Sequence, residues 1–416
     1  MESTPLFTND ATVLGLLAVI LAAVFITHAS PHPFWKKFYS YVPALLLCYF
    51  IPSLFSTMGV ISGDVSQLYF VSSRYLLPAC LVLLCLSIDI KGIIGLGPKA
   101  LIMFFTGTFG IVIGGPLALL IVGSISPETV GGEGADAVWR GMTTVAGSWI
   151  GGGANQTAMK EIFNVGDSIF SAMIAVDVLV ASVWLAVLLY MAGESDIVDR
   201  KFKADNSAIK TLQKKVADYQ LSIAKIPNIT DIMKILGLGF GVTAIAHIGA
   251  DNIAPFLAEN APYLDKFSLT SKFFWLIVLA TLFGFGLSFT KSRELEGVGA
   301  SRIGTAFLYI LIASIGMKMD LMAIFRNPGL FVVGAVWIAI HASLLLIMAR
   351  LIKAPVFFMA VGSQANVGGA ASAPVVASAF HPSLAPVGVL LAVFGYGIGT
   401  FAAWACGLIL QAIAGG

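Results

Sequence analysis

Charge is scarce in this sequence. Of 416 residues only 11% are Asp, Glu, Lys or Arg, against about 25% in ordinary soluble domains, while 58% are hydrophobic. A chain with a mean hydropathy of +0.92 cannot hide its apolar surface in a water-soluble globule. Cysteine is scarce too. Cys48, Cys80, Cys85 and Cys406 all lie in apolar stretches without paired metal-ligand spacing, so they read as small packing residues. No GxxxxGK[ST] loop and no serine elbow is present, which argues against direct ATP drive and against an enzyme. The net charge of +2, with no basic patch interleaved with aromatics, points to no nucleic-acid partner. A cleavable leader is not expected either. Glu2 and Asp10 open the chain, and the apolar run from Ala11 to Ala29 is long enough to span a bilayer.

What is present is a succession of apolar runs of about 20 residues, the length of helix that crosses a hydrocarbon core. They fall at 11–29, 38–60, 67–89, 98–123, 139–163, 168–192, 231–250, 272–289, 300–321, 328–351, 355–379 and 384–413. The runs are continuous rather than alternating, so the expected fold class is all-α and polytopic. One long polar stretch, 193–228, carries seven Lys/Arg against five Asp/Glu. Asn206 and Ser207 offer it a helix cap, and Ile209, Leu212, Val216 and Tyr219 a helical stripe. The expected domains are a transmembrane repeat over 1–192, a polar cytoplasmic helical linker over 193–230 and a second repeat over 231–416.

The repeat is legible in matched landmarks. Asp89 pairs with Asp320, Gly147-Ser148 with Gly362-Ser363, Gly152-Gly153-Ala154 with Gly368-Gly369-Ala370, Phe163 with Phe380, and Ala175-Val176 with Ala392-Val393, all in one order. Lys36, Lys37, Lys91, Lys99 and the lysine-rich linker should lie inside, whereas the 124–138 loop has only acidic charge. Twelve full crossings break that pattern. It is restored if 139–163 and 355–379 are re-entrant hairpins, leaving five crossings per half and therefore inverted repeats. Lys318 and Arg326 then fall outside, against the rule. The rival is a discontinuous helix that does cross.

Both of these segments carry glycine breaks. Gly151-Gly152-Gly153 is followed by Asn155, Gln156 and Thr157; Ser363, Gln364 and Asn366 precede Gly368-Gly369, and Ser372 follows. Each glycine costs roughly 1 kcal/mol against alanine in a helix, so the runs predict unwound backbone. At membrane depth such backbone survives where it is buried in protein or lines a wet cavity. Its carbonyls, here at Gly151, Gly152, Gly153, Gly368 and Gly369, suit a sodium ion, and the seven polar side chains suit an organic anion. Close helix packing is the plainer explanation, as for Gly110 and Gly114. Asp177 is the one acid deep within a span and the leading ion or proton carrier. Lys160 and Glu161 are expected to pair with each other at the surface, Asp89 to cap a helix end, and His247 and His341 to be hydrogen-bonded packing residues.

The paired runs around Gly151-Gly152-Gly153-Ala154-Asn155-Gln156 and Gly362-Ser363-Gln364-Ala365-Asn366 resemble those of the YjcL-like uncharacterised membrane proteins. The resemblance covers nearly the whole chain and places it in the cation:proton antiporter and anion transporter superfamily. It implies inverted repeats, broken helices or hairpins crossing near the midplane, a scaffold that often dimerises, and elevator-like alternating access. The expected function is sodium- or proton-coupled symport of a small organic anion or amino-acid-like solute, with no cofactor beyond the coupling ion. Partners would be the solute, membrane lipid and a second copy of the chain, and the location a cell membrane such as the bacterial inner membrane. The antiporter branch pairs acids where this chain has Val176-Asp177, so cation:proton antiport through Asp177 is the rival. A membrane sensor or enzyme is the reading from another class.

Overall fold

The structure is a computed structural model that describes residues 5–202, 204, 226–319, 322, 326–381 and 384–415. Most of the expected linker, with its whole stripe from Ile209 to Tyr219, lies outside the described residues, as do Asp320 and Ile324. The described chain is helical, and seven of its helices are long and apolar enough to cross a membrane. These are α1 (Asp10–His28), then α4 (Leu68–Leu86), α5 (Pro98–Ile125), α7 (Asp167–Gly193), α8 (Ile229–Asn260), α11 (Gly329–Leu351) and α14 (Ala385–Ala414). Their starts follow local chemistry: the Asn9 side chain caps α1 and Asn228 forms a capping box with Asp231 on α8. Large apolar residues such as Phe105, Phe109, Val183 and Ile347 are exposed on the helix surfaces, where a bilayer rather than water covers them. The protein is a polytopic α-helical membrane protein.

Three expected spans differ. The run 38–60 is two helices, α2 (Pro33–Tyr41) and α3 (Ala44–Thr57), bent by 88°. Pro43 lies between them and has no N–H to continue a helix. The run 272–289 gives α9 (Lys272–Leu287), which ends in a 95° turn into a 3-10 helix at Lys291–Val298. The run 300–321 gives α10 (Ala300–Gly316), 17 residues long.

The two glycine-broken segments are α6 (Val138–Ile162), with non-helical backbone at Gly151 and Gly152, and the pair α12 (Val356–Val367) and α13 (Gly369–Phe380). Each folds back on itself. In the first, the Arg140 guanidinium donates to the Phe163 carbonyl, the Trp139 and Phe163 rings lie 6.2 Å apart, and Gly166 N–H donates to Ala135 at 2.8 Å. In the second, the Phe357 and Phe380 rings are 5.3 Å apart, and Gln364 donates to Ser372 across the break at 2.7 Å. Arms of 12 residues rise about 18 Å, well short of a 30 Å hydrocarbon core. Both segments are therefore helical hairpins, and the alternative of a broken helix that crosses is set aside.

The hairpins approach from opposite ends of α14. Phe163 at the base of the first packs on Gly407, and Ala373 in the second packs on Gly388. Their tips meet midway along that helix, where a methyl group on Gly369 would lie 4.0 Å from Gly152 Cα and one on Gly399 only 2.5 Å from Gly151 Cα. Gly110 and Gly114 serve close packing, the first against His341 Cα and the second against the Trp337 ring. All four cysteines are free and buried.

Candidate functional site

The residues around the two tips can be built up from their hydrogen bonds. Asn155 is fully buried; its Nδ2 donates to the carbonyls of Gly151 and Tyr396, and its Oδ1 accepts from Thr400 Oγ1 at 2.5 Å. Asn366 repeats this with α5: Nδ2 donates to the carbonyls of Gly362 and Phe104, and Oδ1 accepts from Thr108 Oγ1 at 2.7 Å. In each case the threonine and the accepting carbonyl are four residues apart on one helix, so a single helical turn reads a whole amide. The Asn–Thr pairs dock each hairpin on a membrane-length helix. Thr108→Val and Thr400→Val should each cost about 1–3 kcal/mol by leaving a buried amide oxygen unsatisfied; melting of the purified protein measures it, and unchanged melting in both would refute the docking role.

Asp177, on α7, is 4% exposed and bonds both arms of the first hairpin. Its Oδ1 accepts from Trp149 Nε1 at 2.6 Å and its Oδ2 from Gln156 Nε2 at 2.8 Å, with the Ser148 hydroxyl also bonded. Tyr49 in turn donates to Gln156 Oε1 at 3.2 Å, which fixes the orientation of that amide. Among the described residues no cation pairs with this carboxyl. Each of its three donors is neutral.

The second hairpin has its own partner, His341, which is the hydrogen-bonded packing residue the sequence predicts. His341 is fully buried on α11, with Nδ1 3.0 Å from the Gly107 carbonyl and Nε2 2.8 Å from Ser363 Oγ. Because a carbonyl only accepts, Nδ1 carries the proton in the neutral ring and the Ser363 hydroxyl donates to Nε2, while Trp184 Nε1 donates to Ser363 at 2.8 Å. Only the short distance to a polar hairpin position could have flagged it.

The remaining expected ligands divide by their hydrogen bonds. Thr157 Oγ1 returns to the Gly153 carbonyl within its own helix. Ser372 accepts from Gln364. Gln364 is 1% exposed, and its Oε1 is one of two buried side-chain atoms among the described residues without a hydrogen-bond partner, the other being Arg140 Nε. A methyl group on Gly368 would fall 2.1 Å from Gln364 Nε2 and 1.8 Å from Ser372 Oγ, so any larger residue would have to displace that hydrogen-bonded pair. Beside the tips, α14 presents Gly395, where a methyl group would lie 2.8 Å from the Ile150 carbonyl oxygen and 3.6 Å from that of Ala365. One carbonyl from the end of each hairpin's first arm thus converges on one point.

Lys160 and Glu161 do not pair with each other. Lys160 binds Asp167 at 2.6 Å, and Glu161 accepts from Arg74 at 2.8 Å and from the Tyr69 hydroxyl. Adjacent residues on a helix point about 100° apart, so each finds a partner on a different element. Asp89 pairs with Arg293. His247 bonds the Arg74 carbonyl.

The fold and this geometry define a multi-pass α-helical membrane protein with two opposed re-entrant hairpins. The chain belongs to the family described as "Protein of unknown function (DUF819)", which matches residues 15–413. It is similar to the "Uncharacterized membrane protein YjcL" of Bacillus subtilis (strain 168), with 23% identity over 361 residues, 84% of this chain and 85% of that protein.

Proposed function

We propose that the protein is a secondary transporter of a small organic anion or amino-acid-like solute, driven by sodium or protons through the hairpin tips. The observation that carries this reading is that the two hairpin tips, opposed end to end, meet midway along a membrane-length helix. Half-membrane helices ending against each other place helix C-terminal carbonyls and N-terminal N–H groups in one buried place, where a cation and an anion are both served. The Ile150 and Ala365 carbonyls beside Gly395 and the unpartnered Gln364 Oε1 are the acceptors for a sodium ion. Asn155 and Asn366 act here by holding the hairpins rather than by touching the solute. Inverted repeats, elevator-like movement of the hairpins, a dimeric scaffold and membership of the wider antiporter and anion-transporter superfamily accord with this reading. Cation:proton antiport through Asp177 is the second reading, favoured by a buried carboxyl that pairs with no cation among the described residues.

A ligand that binds only the folded state raises its stability, by about 1.4 kcal/mol at ten times Kd. The purified protein should accordingly melt at a higher temperature in sodium than in potassium chloride, and Gln364→Ala should lose the difference while still folding. Identical melting in both salts at high concentration would refute sodium coupling.

A further inference from the structure

At the root of the first hairpin, away from the tips, lies a cavity of about 220 Å³. Its wall includes Asp64, Gln67, Tyr69, Arg74 and Lys318. Most charge nearby is already matched: Arg74 with Glu161, and Lys160 with Asp167. Two groups are not. Asp64 and Lys318 form no ion pair among the described residues, with each other or with anything else, although both face the same space.

Lys318 is held where it is. Its stem fills the space that a side chain at Gly63 would occupy, since a methyl group there would lie 2.5 Å from Lys318 Cγ and 2.9 Å from the Met317 carbonyl oxygen. Its ammonium stands 5.1 Å from the centre of the Tyr69 ring, to which Lys160 also comes within 4.7 Å. On the orientation expected from loop charge, this lysine falls on the outer side, where the positive-inside rule disfavours it. A positioned ammonium and a carboxylate kept apart across a small polar cavity are complementary to a molecule that carries both opposite charges.

We infer that this cavity is a binding site for a small zwitterion of the α-amino-acid type, its carboxylate toward Lys318 and its ammonium toward Asp64. The volume suits an amino acid with a small side chain, and the Gln67 side chain on the wall adds a hydrogen-bonding group. Tyr69 on the wall donates to Glu161 on the second arm of the first hairpin, so an occupant is linked through that hydrogen bond to the element that carries Gln156 and the glycine tip. As a loading site for uptake it rests on the transport reading, and it names the solute class of that reading.

The test is thermal stabilisation of the purified full chain by L-alanine, with acetate and methylamine as separate half-ligands. Alanine should stabilise at millimolar concentration and each half-ligand far less. Lys318→Gln and Asp64→Asn should each raise the half-effective alanine concentration by about tenfold or more, the loss of one charge-assisted contact. Gly63→Ala displaces the lysine without changing any charge and should act likewise; if it fails to fold, the two charge variants decide. Equal alanine response in wild type, Lys318→Gln and Asp64→Asn overturns the site, as does the absence of any response. An alanine response lost in Gln364→Ala but kept in Lys318→Gln places the zwitterion at the hairpin tips and also overturns it, while leaving the transport reading intact. The sodium-against-potassium comparison involves neither Asp64 nor Lys318, so the two readings fail separately.

Discussion

Asp177→Asn is expected to yield a folded protein whose ion-driven accumulation is impaired. The asparagine can still accept from Trp149 through its oxygen, but its amide would face the amide of Gln156. Gln156 can turn over to present its oxygen, because the partner on its far side, Tyr49, is a hydroxyl and accepts as readily as it donates. The exchange should therefore cost less than about 1 kcal/mol. Asp177→Ala, by contrast, strands the Trp149 and Gln156 donors in a buried site and should cost about 2–5 kcal/mol. Measured by melting, the order should be wild type, then asparagine close behind, then alanine. If Asp177 carries the coupling ion, ion-driven accumulation in proteoliposomes fails in the asparagine variant. For antiport all exchange is lost, whereas for symport through the tips solute binding persists with weakened pH or sodium dependence. Wild-type accumulation with unchanged ion dependence would make Asp177 a purely structural clamp between the hairpin arms.

A second large effect is expected at Gly399. There α14 meets the first hairpin backbone to backbone, with any methyl group 2.5 Å from Gly151 Cα and 2.8 Å from Asn155 Nδ2. Neither neighbour can yield without moving the tip, since Asn155 is tied to both Gly151 and Tyr396. Overpacking usually costs about 1–3 kcal/mol, and Gly399→Val should reach or exceed the top of that range. Gly286→Val is the control, because no atom lies within 4 Å of a methyl group there. Yield of monodisperse protein and melting temperature should collapse for the first and hold for the second. Equal behaviour would mean that the tips do not dock as described.

How far the site was legible differs from residue to residue. Gly151-Gly152-Gly153 and Gly368-Gly369 announced breaks because glycine in a helix has a local cost, and that cost does not depend on what surrounds it. The acidic 124–138 loop and the lysines expected inside asked for segments that turn back, and the ring contacts of Trp139 with Phe163 and Phe357 with Phe380 show the two ends of each segment lying together. The seven polar residues near the breaks were all read as candidate ligands. An amide's chemistry is the same whether it faces a solute or a neighbouring threonine, so only the partner across space, 245 residues away for Asn155 and Thr400, tells the two apart. His341 was expected to be a hydrogen-bonded packing residue and is one, but that its partner is Ser363 of the second hairpin was not legible for the same reason. Lys160 and Glu161 misled because adjacency in sequence is not adjacency on a helix surface.

The sequence by itself determined the solvent and the class of backbone: with 11% charged residues and successive apolar runs, only membrane-spanning helices satisfy every peptide group. It also determined the two breaks at the glycine runs, though not the bend at Pro43. The tertiary structure alone decided that each broken segment turns back, that the tips meet at Gly395 and Gly399, and which polar atoms are consumed in holding them. Hydropathy and helix propensity are sums over neighbours along the chain, whereas docking depends on the shapes and directed hydrogen bonds of residues hundreds of positions apart.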